Sequence, residues 1–182
     1  MDAIELLLTR QSTPRLVAPA PNEQQLTTIL NAAMRVPDHA GLSPWEFIVA
    51  TDDGLDKLAD AFVDATRGEG AEEAVLSKVA NMTKRAPMMI IVVAKVTEHP
   101  KVPPLEQQLA AGCACMAMQQ AAFAQGLGGI WRTGSLAFNR HLHQSLGLGL
   151  QDQIVGFLYL GTPAVEAQSK PLKSFENFVR YL

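Results

Sequence analysis

The chain has 182 residues, of which 48% are hydrophobic and 18% charged, and its formal net charge is −3. A chain of this length and composition is expected to form one globular domain with a sizeable core. The acidic balance argues against a non-specific nucleic-acid binder, which needs an excess or a stripe of basic residues. The small charged fraction predicts an apolar surface area covered by a second subunit.

No targeting or membrane signal is recognised. The first residues, Met1 to Glu5, lack the basic and apolar regions of a secretory signal peptide. The longest apolar run, residues 88–94, suits a buried strand and is too short for a membrane span. Cys113 and Cys115 are two positions apart in a predicted helix, so they point to different faces and do not pair readily. We therefore expect a cytoplasmic protein that contacts no membrane, with both cysteines packed in the core as reduced thiols.

The first 50 residues contain the patterns of two helices and a strand. Asp2 is a predicted cap of the first helix, whose buried face would consist of Ile4, Leu7 and Leu8. The second helix is predicted to begin after Asn22 and to end at Pro37. A strand is predicted for residues 45–50.

The middle of the chain alternates helices and strands. Residues 55–67 and 72–84 are predicted to form two charged amphipathic helices, an exposed excursion that is mobile or covers a site. Residues 88–94 are predicted to form a strand covered on both faces. Residues 105–125 have apolar side chains on nearly every side, which predicts a long helix buried all round, in the core or across a subunit interface.

The remaining elements decide the expected fold class. We predict a strand beginning at Ile130, a short helix over 139–146, a strand over 153–160 and an edge strand within 175–182. Long helices that alternate irregularly with a few strands favour an α+β fold over a doubly wound one. Since no linker or repeat is found, residues 1–182 are expected to form a single domain.

Several common catalytic motifs are missing from the sequence. Gly126-x-Gly128-Gly129 follows a helix and precedes a strand, the reverse of a Rossmann phosphate turn, so it is interpreted as a helix terminator. The sequence has neither a P-loop nor a Gly-x-Ser-x-Gly motif. His141-x-His143 lacks a third ligand at metal-binding spacing, and both histidines are predicted on a helix surface. We therefore expect no metal and no protein nucleophile, with any reactive group supplied by a cofactor.

Three arginine-bearing loops are the candidate binding elements. Residues 9–15 follow the first helix and offer two guanidinium groups, several hydroxyls and free backbone amides, including Arg10, Gln11 and Ser12. Guanidinium and hydroxyl groups complete a shell around phosphate oxygens, so this loop suits a phosphomonoester. A polar helix end with no ligand is the alternative.

The other two loops carry aromatic or imidazole groups as well. Arg35 and His39 lie on a proline-stiffened segment directly before a strand, either at a ligand site or as solvated side chains of a turn. Trp131, Arg132 and Thr133 are flanked by glycines that permit close approach to a flat ligand, although Trp131 is alternatively a core residue. A phosphate clamp with an aromatic slot is what flavin mononucleotide needs, but spacing alone does not identify that ligand.

Four motifs together resemble those of the FMN-dependent nitroreductase family, in its short, YdjA-like branch: Arg10-x-Ser12, Pro37 to Pro44-Trp45-x-Phe47, Gly126-x-Gly128-Gly129-Ile130-Trp131-Arg132 and Gly156-Phe157-x-Tyr159-Leu160-Gly161-x-Pro163. The resemblance covers nearly the whole chain. It implies an α+β sandwich with a central, mostly antiparallel sheet flanked by helices. It also implies an intimate homodimer with two FMN sites at the interface, and a C-terminal tail, residues 164–182, packed on the partner.

The resemblance also implies roles for individual residues. The ribityl phosphate would be held by Arg10, Gln11 and Ser12. The flavin would be reached from the other subunit by Arg35 and His39, and its ring would be bordered by Trp131, Arg132 and Thr133. Many relatives have a basic residue in place of Pro14 and a glutamine in place of Ser43. Many also have a basic residue near the C-terminus that binds the phosphate, and this residue has no clear match here. Arg132 is the candidate for that role.

The implied activity is hydride transfer from NADH or NADPH to the flavin and then to a nitroaromatic, a quinone or a related small acceptor. Donor and acceptor would use the same flavin face in turn, which is a ping-pong mechanism. Because flavin N5 would carry the chemistry, no catalytic acid or nucleophile is assigned to the protein. Two other functions stay open: a non-catalytic flavin-binding or storage dimer, and an enzyme that uses another phosphorylated cofactor.

Overall fold

The apolar run Met88–Ala94 forms the central strand of the fold. A computed structural model describes residues 1–165 and 170–182 of the chain, and all seven residues of this strand are buried in it. The side chains alternate between two hydrophobic cores, with Met89, Ile91 and Val93 on one side and Met88, Ile90 and Val92 on the other. A strand with both faces covered is what the uninterrupted apolar run predicts.

The elements in chain order are α1 (Ala3–Thr9), β1 (Leu16–Val17), α2 (Glu23–Ala33), β2 (Trp45–Thr51), α3 (Asp53–Gly68), α4 (Glu73–Ala80), β3 (Met88–Ala94), α5 (Pro104–Ala124), β4 (Gly128–Arg132), α6 (Arg140–Ser145) and β5 (Gln153–Pro163). Short 3-10 turns occur at His39–Gly41, Thr83–Arg85, Ser135–Phe138 and Glu176–Phe178.

The described residues build one five-stranded sheet in the order β1-β5-β3-β2, and β4 also pairs with β5. Every strand pair is antiparallel, which confirms the expected α+β class and sheet type. The register shifts between Val92 and Val93, because Val92 is paired with Gly156 and Val93 with Ile154. Val155 is therefore the extra residue of a β-bulge in β5.

Helices cover both faces of this sheet. On one face, α2 and α5 contribute Ile29, Ala33, Ala114, Cys115 and Met118 to the core. On the opposite face, α3, α4 and α6 contribute Leu58, Phe62, Ala65, Val79 and Leu142. The chain thus forms the helix-sheet-helix sandwich that the resemblance implies. Among the described residues, no helix is both long and apolar enough to span a membrane.

The predicted helix caps are confirmed by hydrogen bonds. The Asp2 carboxylate accepts from the Glu5 N–H at 2.8 Å, and Asn22 forms a capping box with Gln25. A third cap, which was not predicted, is Asn139, whose side chain accepts from the Leu142 N–H at 3.0 Å at the start of α6. Gly126, with φ at +77°, follows the end of α5, as expected of a helix terminator.

Four expectations about helices and the tail are wrong. The segment 55–84 is not an exposed excursion, because α3 packs the nearly inaccessible ring of Phe62 against the sheet. Helix α2 ends at Ala33, before Pro37, because the next residues form tighter turns. The predicted buried face of α1, formed by Ile4, Leu7 and Leu8, is exposed in the single chain. Leu105 and Leu109 of α5 are exposed there too, which leaves the subunit-interface alternative for that helix as a prediction. Residues 175–182 contain a 3-10 turn and no strand.

The structure also corrects the placement of two side chains. Cys115 is buried, and burial raises the pKa of its thiol to about 12, but Cys113 is exposed on the outer side of α5 and is not a core residue. His143 is buried, not on the surface, and its Nε2 lies 3.0 Å from the Ala137 carbonyl oxygen.

Candidate functional site

The loop that follows α1 is fixed to the start of β4. The Thr13 N–H donates to the Gly129 carbonyl at 2.9 Å. A Cβ at Gly128 would lie 2.5 Å from Leu16 Cδ2 and 3.0 Å from Thr13 Cγ2, so only a glycine lets the loop come this close to the strand. Thr13 itself is buried. The anchor holds the preceding residues of the predicted phosphate loop, Arg10, Gln11 and Ser12, beside the sheet edge.

The indole of Trp131 is held rigidly at the other end of β4. Its Nε1–H donates to the carbonyl of the bulge residue Val155 at 3.1 Å. A Cβ at Gly156 would lie 1.9 Å from this Nε1, and a Cβ at Gly112 of α5 would lie 3.6 Å from Cη2. The indole thus lies between a helix and a strand, each of which presents a glycine. Trp131 is therefore in part a core residue, which was one of its two predicted roles.

Trp131 is also a lining residue of a cavity of about 370 Å³, here named the arginine cavity. It is lined by Phe62, Met82, Arg85, Trp131, Arg132, Thr133, Leu136, Phe157 and Tyr159. None of these lining residues is acidic. The cavity lies on the side of the sheet covered by α3 and α4.

The polar groups of the arginine cavity are incompletely paired. Arg132 Nε is buried without a hydrogen-bond partner, and neither Arg85 nor Arg132 forms a salt bridge within residues 1–165 and 170–182. Burial raises the pKa of the Tyr159 phenol, while the positive charges of both arginines act in the opposite direction. The phenol is protonated at neutral pH, so the cavity presents hydrogen-bond donors to an electron-rich ligand.

Trp131 also lines an apolar groove along α5, here named the α5 groove. Its volume is about 430 Å³, and it is lined by Leu105, Gln108, Leu109, Gly112, Cys113, Met116, Trp131 and Val155. This groove explains why α5 is not buried on all sides. Trp131 lines this groove as well as the arginine cavity, and its indole packs with the core on the α5 face of the sheet.

The loop with Arg35 and His39 lies at the N-terminal end of α5. The Asp38 carboxylate accepts from the N–H groups of Leu42 at 3.0 Å and Ser43 at 2.8 Å. Ala40 and Ser43 have positive φ values of 65° and 47°, a strained conformation that the turn of this loop imposes. The loop is therefore an ordered structure built around Asp38.

His39 is joined to α5 by a short contact. Its Nδ1 lies 2.7 Å from the Glu106 carboxylate, and both residues line a cavity of about 210 Å³ that also includes Leu109 and Cys113. Arg35 is exposed.

The structure brings two of the three predicted loops together within one chain. Residues 10–12 lie beside the start of β4, and Trp131, Arg132 and Thr133 lie at its end. Arg35 and His39 are not among the lining residues of the arginine cavity. Within a single chain, the predicted site is therefore in two parts.

Sequence reasoning missed Arg85 and Tyr159 as members of this site. Arg85 stands directly before Ala86-Pro87 and the buried strand β3. The same arrangement of a cation, a proline and a hydrophobic strand identified Arg35 as a candidate binding residue. Arg85 could therefore have been predicted from the sequence in the same way. Tyr159 carries no such signal, because the apolar residues around it in β5 predict only a core position. No group of three potential metal ligands occurs among the described residues.

The fold and the sequence agree with one family. The model of the Nitroreductase family matches residues 7–162, and the chain belongs to that family. A protein of Escherichia coli strain K12 named "Putative NAD(P)H nitroreductase YdjA" is 47% identical over 169 residues, 93% of this chain and 92% of that protein. A "Putative NAD(P)H nitroreductase" of Haemophilus influenzae is 41% identical over 184 residues, with both chains covered completely. These relatives confirm the YdjA-like branch.

Solved structures confirm the fold. A nitroreductase-like family protein from Bacillus cereus matches with a TM-score of 0.84 at 23% identity, covering 100% of this chain and 96% of that one. A nitroreductase from Desulfovibrio desulfuricans, described in complex with FMN, matches with a TM-score of 0.75 at 20% identity, covering 100% of this chain and 98% of that one.

Proposed function

We propose that the protein is an FMN-dependent oxidoreductase that takes a hydride from NADH or NADPH and reduces a nitroaromatic, a quinone or a related small acceptor. The observation that carries this proposal is the buried, unpartnered Nε of Arg132, a lining residue of the arginine cavity. A buried donor without a partner is costly, so a ligand that accepts its hydrogen bond is expected there. The NAD(P)H nitroreductase names of the relatives support the donor and the reaction class.

The donor set along β4 fits FMN. Arg10, Gln11 and Ser12 would hold the phosphate at the strand's start, where Thr13 anchors their loop. Trp131, Arg132 and Thr133 would border the ring at its end. When bound, FMN would supply the reversible acceptance of two electrons and a proton at N5. The protein's own residues would fix the position of the ring, exclude water and provide hydrogen bonds.

We propose further that the functional unit is a homodimer. The apolar faces of α1 and α5 are exposed in the single chain, as are several apolar side chains of the tail, among them Leu172, Phe175 and Phe178. Exposed apolar side chains on several elements favour burial against a second copy. Residues of the tail would then pack on the partner, and Arg35 and His39 would contact the partner's cofactor. The part of the predicted tail at residues 166–169 lies outside the described residues.

We propose that the protein is located in the cytoplasm. Cys113 and Cys115 are both free thiols, and free thiols are expected in a reducing compartment. The small acceptor and the nicotinamide would enter the open side of the site in turn, giving ping-pong kinetics.

The test begins with the absorbance spectrum of the purified protein. We expect a flavin spectrum that NADH or NADPH bleaches within a catalytic turnover and that an added quinone or nitroaromatic restores. Steady-state rates at several fixed acceptor concentrations should give parallel double-reciprocal lines. A flavin that both donors bleach only slowly would instead favour a storage dimer. A spectrum without flavin would favour another phosphorylated cofactor.

A further inference from the structure

The first turn of α5 places a carboxylate beside the imidazole of His39. Glu106 Oε2 lies 2.7 Å from His39 Nδ1, although the two residues are 67 positions apart in the sequence. An ionised carboxylate has no hydrogen to donate, so the hydrogen of this contact is on Nδ1. The contact therefore leaves Nε2 as the ring nitrogen with which His39 can bind another molecule.

Both partners of this contact are carried by anchored backbone. The carboxylate of Asp38 accepts from two backbone N–H groups of the histidine loop, at 3.0 and 2.8 Å. Gln107, the residue after Glu106, is buried, and its side chain accepts from the Thr97 N–H at 2.9 Å and donates to the Thr97 carbonyl at 2.8 Å. The imidazole and the carboxylate are thus presented to each other by two fixed segments.

The contact contributes little to the stability of the single chain. The side chains of His39 and Glu106 are 55% and 45% exposed, and ion pairs between exposed groups are worth little. What a carboxylate on one ring nitrogen does fix is the tautomer and the orientation of the imidazole. The value of this pair therefore lies in what the other ring nitrogen binds.

We propose that Glu106 is a positioning residue for His39, fixing the Nδ1–H tautomer so that Nε2 is turned to the cofactor bound by the partner subunit. The inference rests on the proposed function, in which His39 contacts that cofactor. In the neutral ring Nε2 is an acceptor, which suits the hydrogen-bond donors of FMN, its N3–H and ribityl hydroxyls. Glu106 does not itself contact the cofactor, so its effect passes through His39.

A double-mutant cycle tests whether Glu106 acts through His39. FMN affinity is measured by fluorescence titration of the apoprotein for wild type, Glu106→Ala, His39→Ala and the double variant. For Glu106→Ala we expect about threefold to tenfold weaker binding, the effect of one hydrogen bond, and for His39→Ala at least as large a loss. The double variant should bind FMN as weakly as His39→Ala alone, because two changes that act through one group are not additive.

Two further variants separate this role from a general effect of charge at a helix end. Glu23→Ala removes an acidic residue from the first turn of α2, as Glu106→Ala does from α5, and it should bind FMN like wild type. Glu106→Gln keeps an oxygen that can accept from Nδ1, so it should recover part of the affinity. Glu106→Ala should lower the unfolding temperature no more than Glu23→Ala does.

Nitrogen-15 NMR of the histidine rings measures the tautomer directly and does not depend on activity. In spectra of the purified protein at alkaline pH, where the neutral ring is observed, His39 of wild type should carry its hydrogen on Nδ1. In Glu106→Ala the hydrogen should shift towards Nε2. The spectrum of His39→Ala identifies the signals that belong to this ring.

Four results would overturn the inference. An equal loss of affinity from Glu106→Ala with and without His39 would show that Glu106 acts independently of the imidazole. Wild-type affinity in Glu106→Ala, or a hydrogen on Nε2 of His39 in wild type, would exclude the positioning role while leaving the proposed function intact. Failure of the wild-type protein to bind FMN would remove the proposed function itself, and the inference with it.

Discussion

The indole nitrogen of Trp131 lies where a side chain at Gly156 would begin, since an added Cβ would be 1.9 Å from it. The same nitrogen donates to the carbonyl of Val155, which the β-bulge turns towards it. The orientation of the Trp131 indole beside the α5 groove is therefore set by the backbone of β5. A single missing methyl group at position 156 makes that possible.

Replacing Gly156 with alanine should displace this indole. We expect the free energy of unfolding to fall by about 1–3 kcal/mol, the usual cost of overpacking, and FMN to bind more weakly. Denaturant titration measures the free energy of unfolding, and fluorescence titration of the apoprotein with FMN measures the affinity. Gly54→Ala is the control, because its Cβ would meet Ala50 at an ordinary 3.8 Å in a helix. Equal stability of both variants would contradict the role assigned to Gly156.

Arg35→Ala should release flavin, although Arg35 is not a lining residue of the arginine cavity of its own chain. Loss of a charge-assisted contact to the partner's cofactor should raise the FMN Kd by about tenfold or more. The ratio of flavin to protein absorbance after gel filtration measures the effect. Arg67→Ala provides a matched exposed arginine on α3, paired with Asp64 of the same helix. Unchanged occupancy in Arg35→Ala would count against an interface site.

Leu105→Glu should separate the dimer. Leu105 is 65% exposed in the single chain and lines the α5 groove, so a charge there would be buried if α5 packs against a second copy. An unpaired buried charge is costly, and we expect mainly monomer at micromolar concentration, with little bound FMN. Sedimentation velocity measures the mass.

The control for this variant is Val75→Glu on α4, which is 44% exposed and lies on the other side of the sheet. It should remain dimeric. A dimeric Leu105→Glu, or a monomeric wild type, would refute the α5 interface.

Acid should weaken the contact between Asp152 and Lys95. The Asp152 carboxylate accepts from Lys95 Nζ at 2.5 Å and from the Gly149 N–H at 2.7 Å. Although burial raises the pKa of Asp152, the hydrogen bond from Lys95 and that from Gly149 lower it below its ordinary value. A lowered pKa stabilises the fold above the unfolded pKa of about 3.9, and this stabilisation is lost as pH falls through the folded value.

Asp152→Asn should therefore lower the free energy of unfolding at pH 7 by about 1 kcal/mol. The difference from wild type should shrink below about pH 4. Chemical denaturation at several pH values measures it, with the exposed Asp64→Asn as the control. A difference that stays constant down to pH 3 would show that the charge of Asp152 does not contribute.

Much of the fold was predictable because its signals are local. Asp2, Asn22 and Asn139 each bond a backbone N–H three residues ahead, so the cap and its partner are adjacent in the sequence. The strand Met88–Ala94 was recognisable because every residue in it is apolar. The end of α2 was harder to predict. Pro37 sets only the last residue that the helix could reach, and the turns after Ala33 end it earlier.

The sequence by itself determined the capped helices, the buried central strand, the family and the three arginine-bearing loops, because each depends on residues close together in the chain. Only the tertiary structure placed Arg85 beside Arg132, set the Trp131 indole on Gly156, and separated Arg35 from the cavity of its own chain. These relationships depend on the pairing of β4 with β5 and on the register shift at Val155. Strand register is fixed by contacts between distant segments, so no local pattern of residues encodes which side chains will share a cavity.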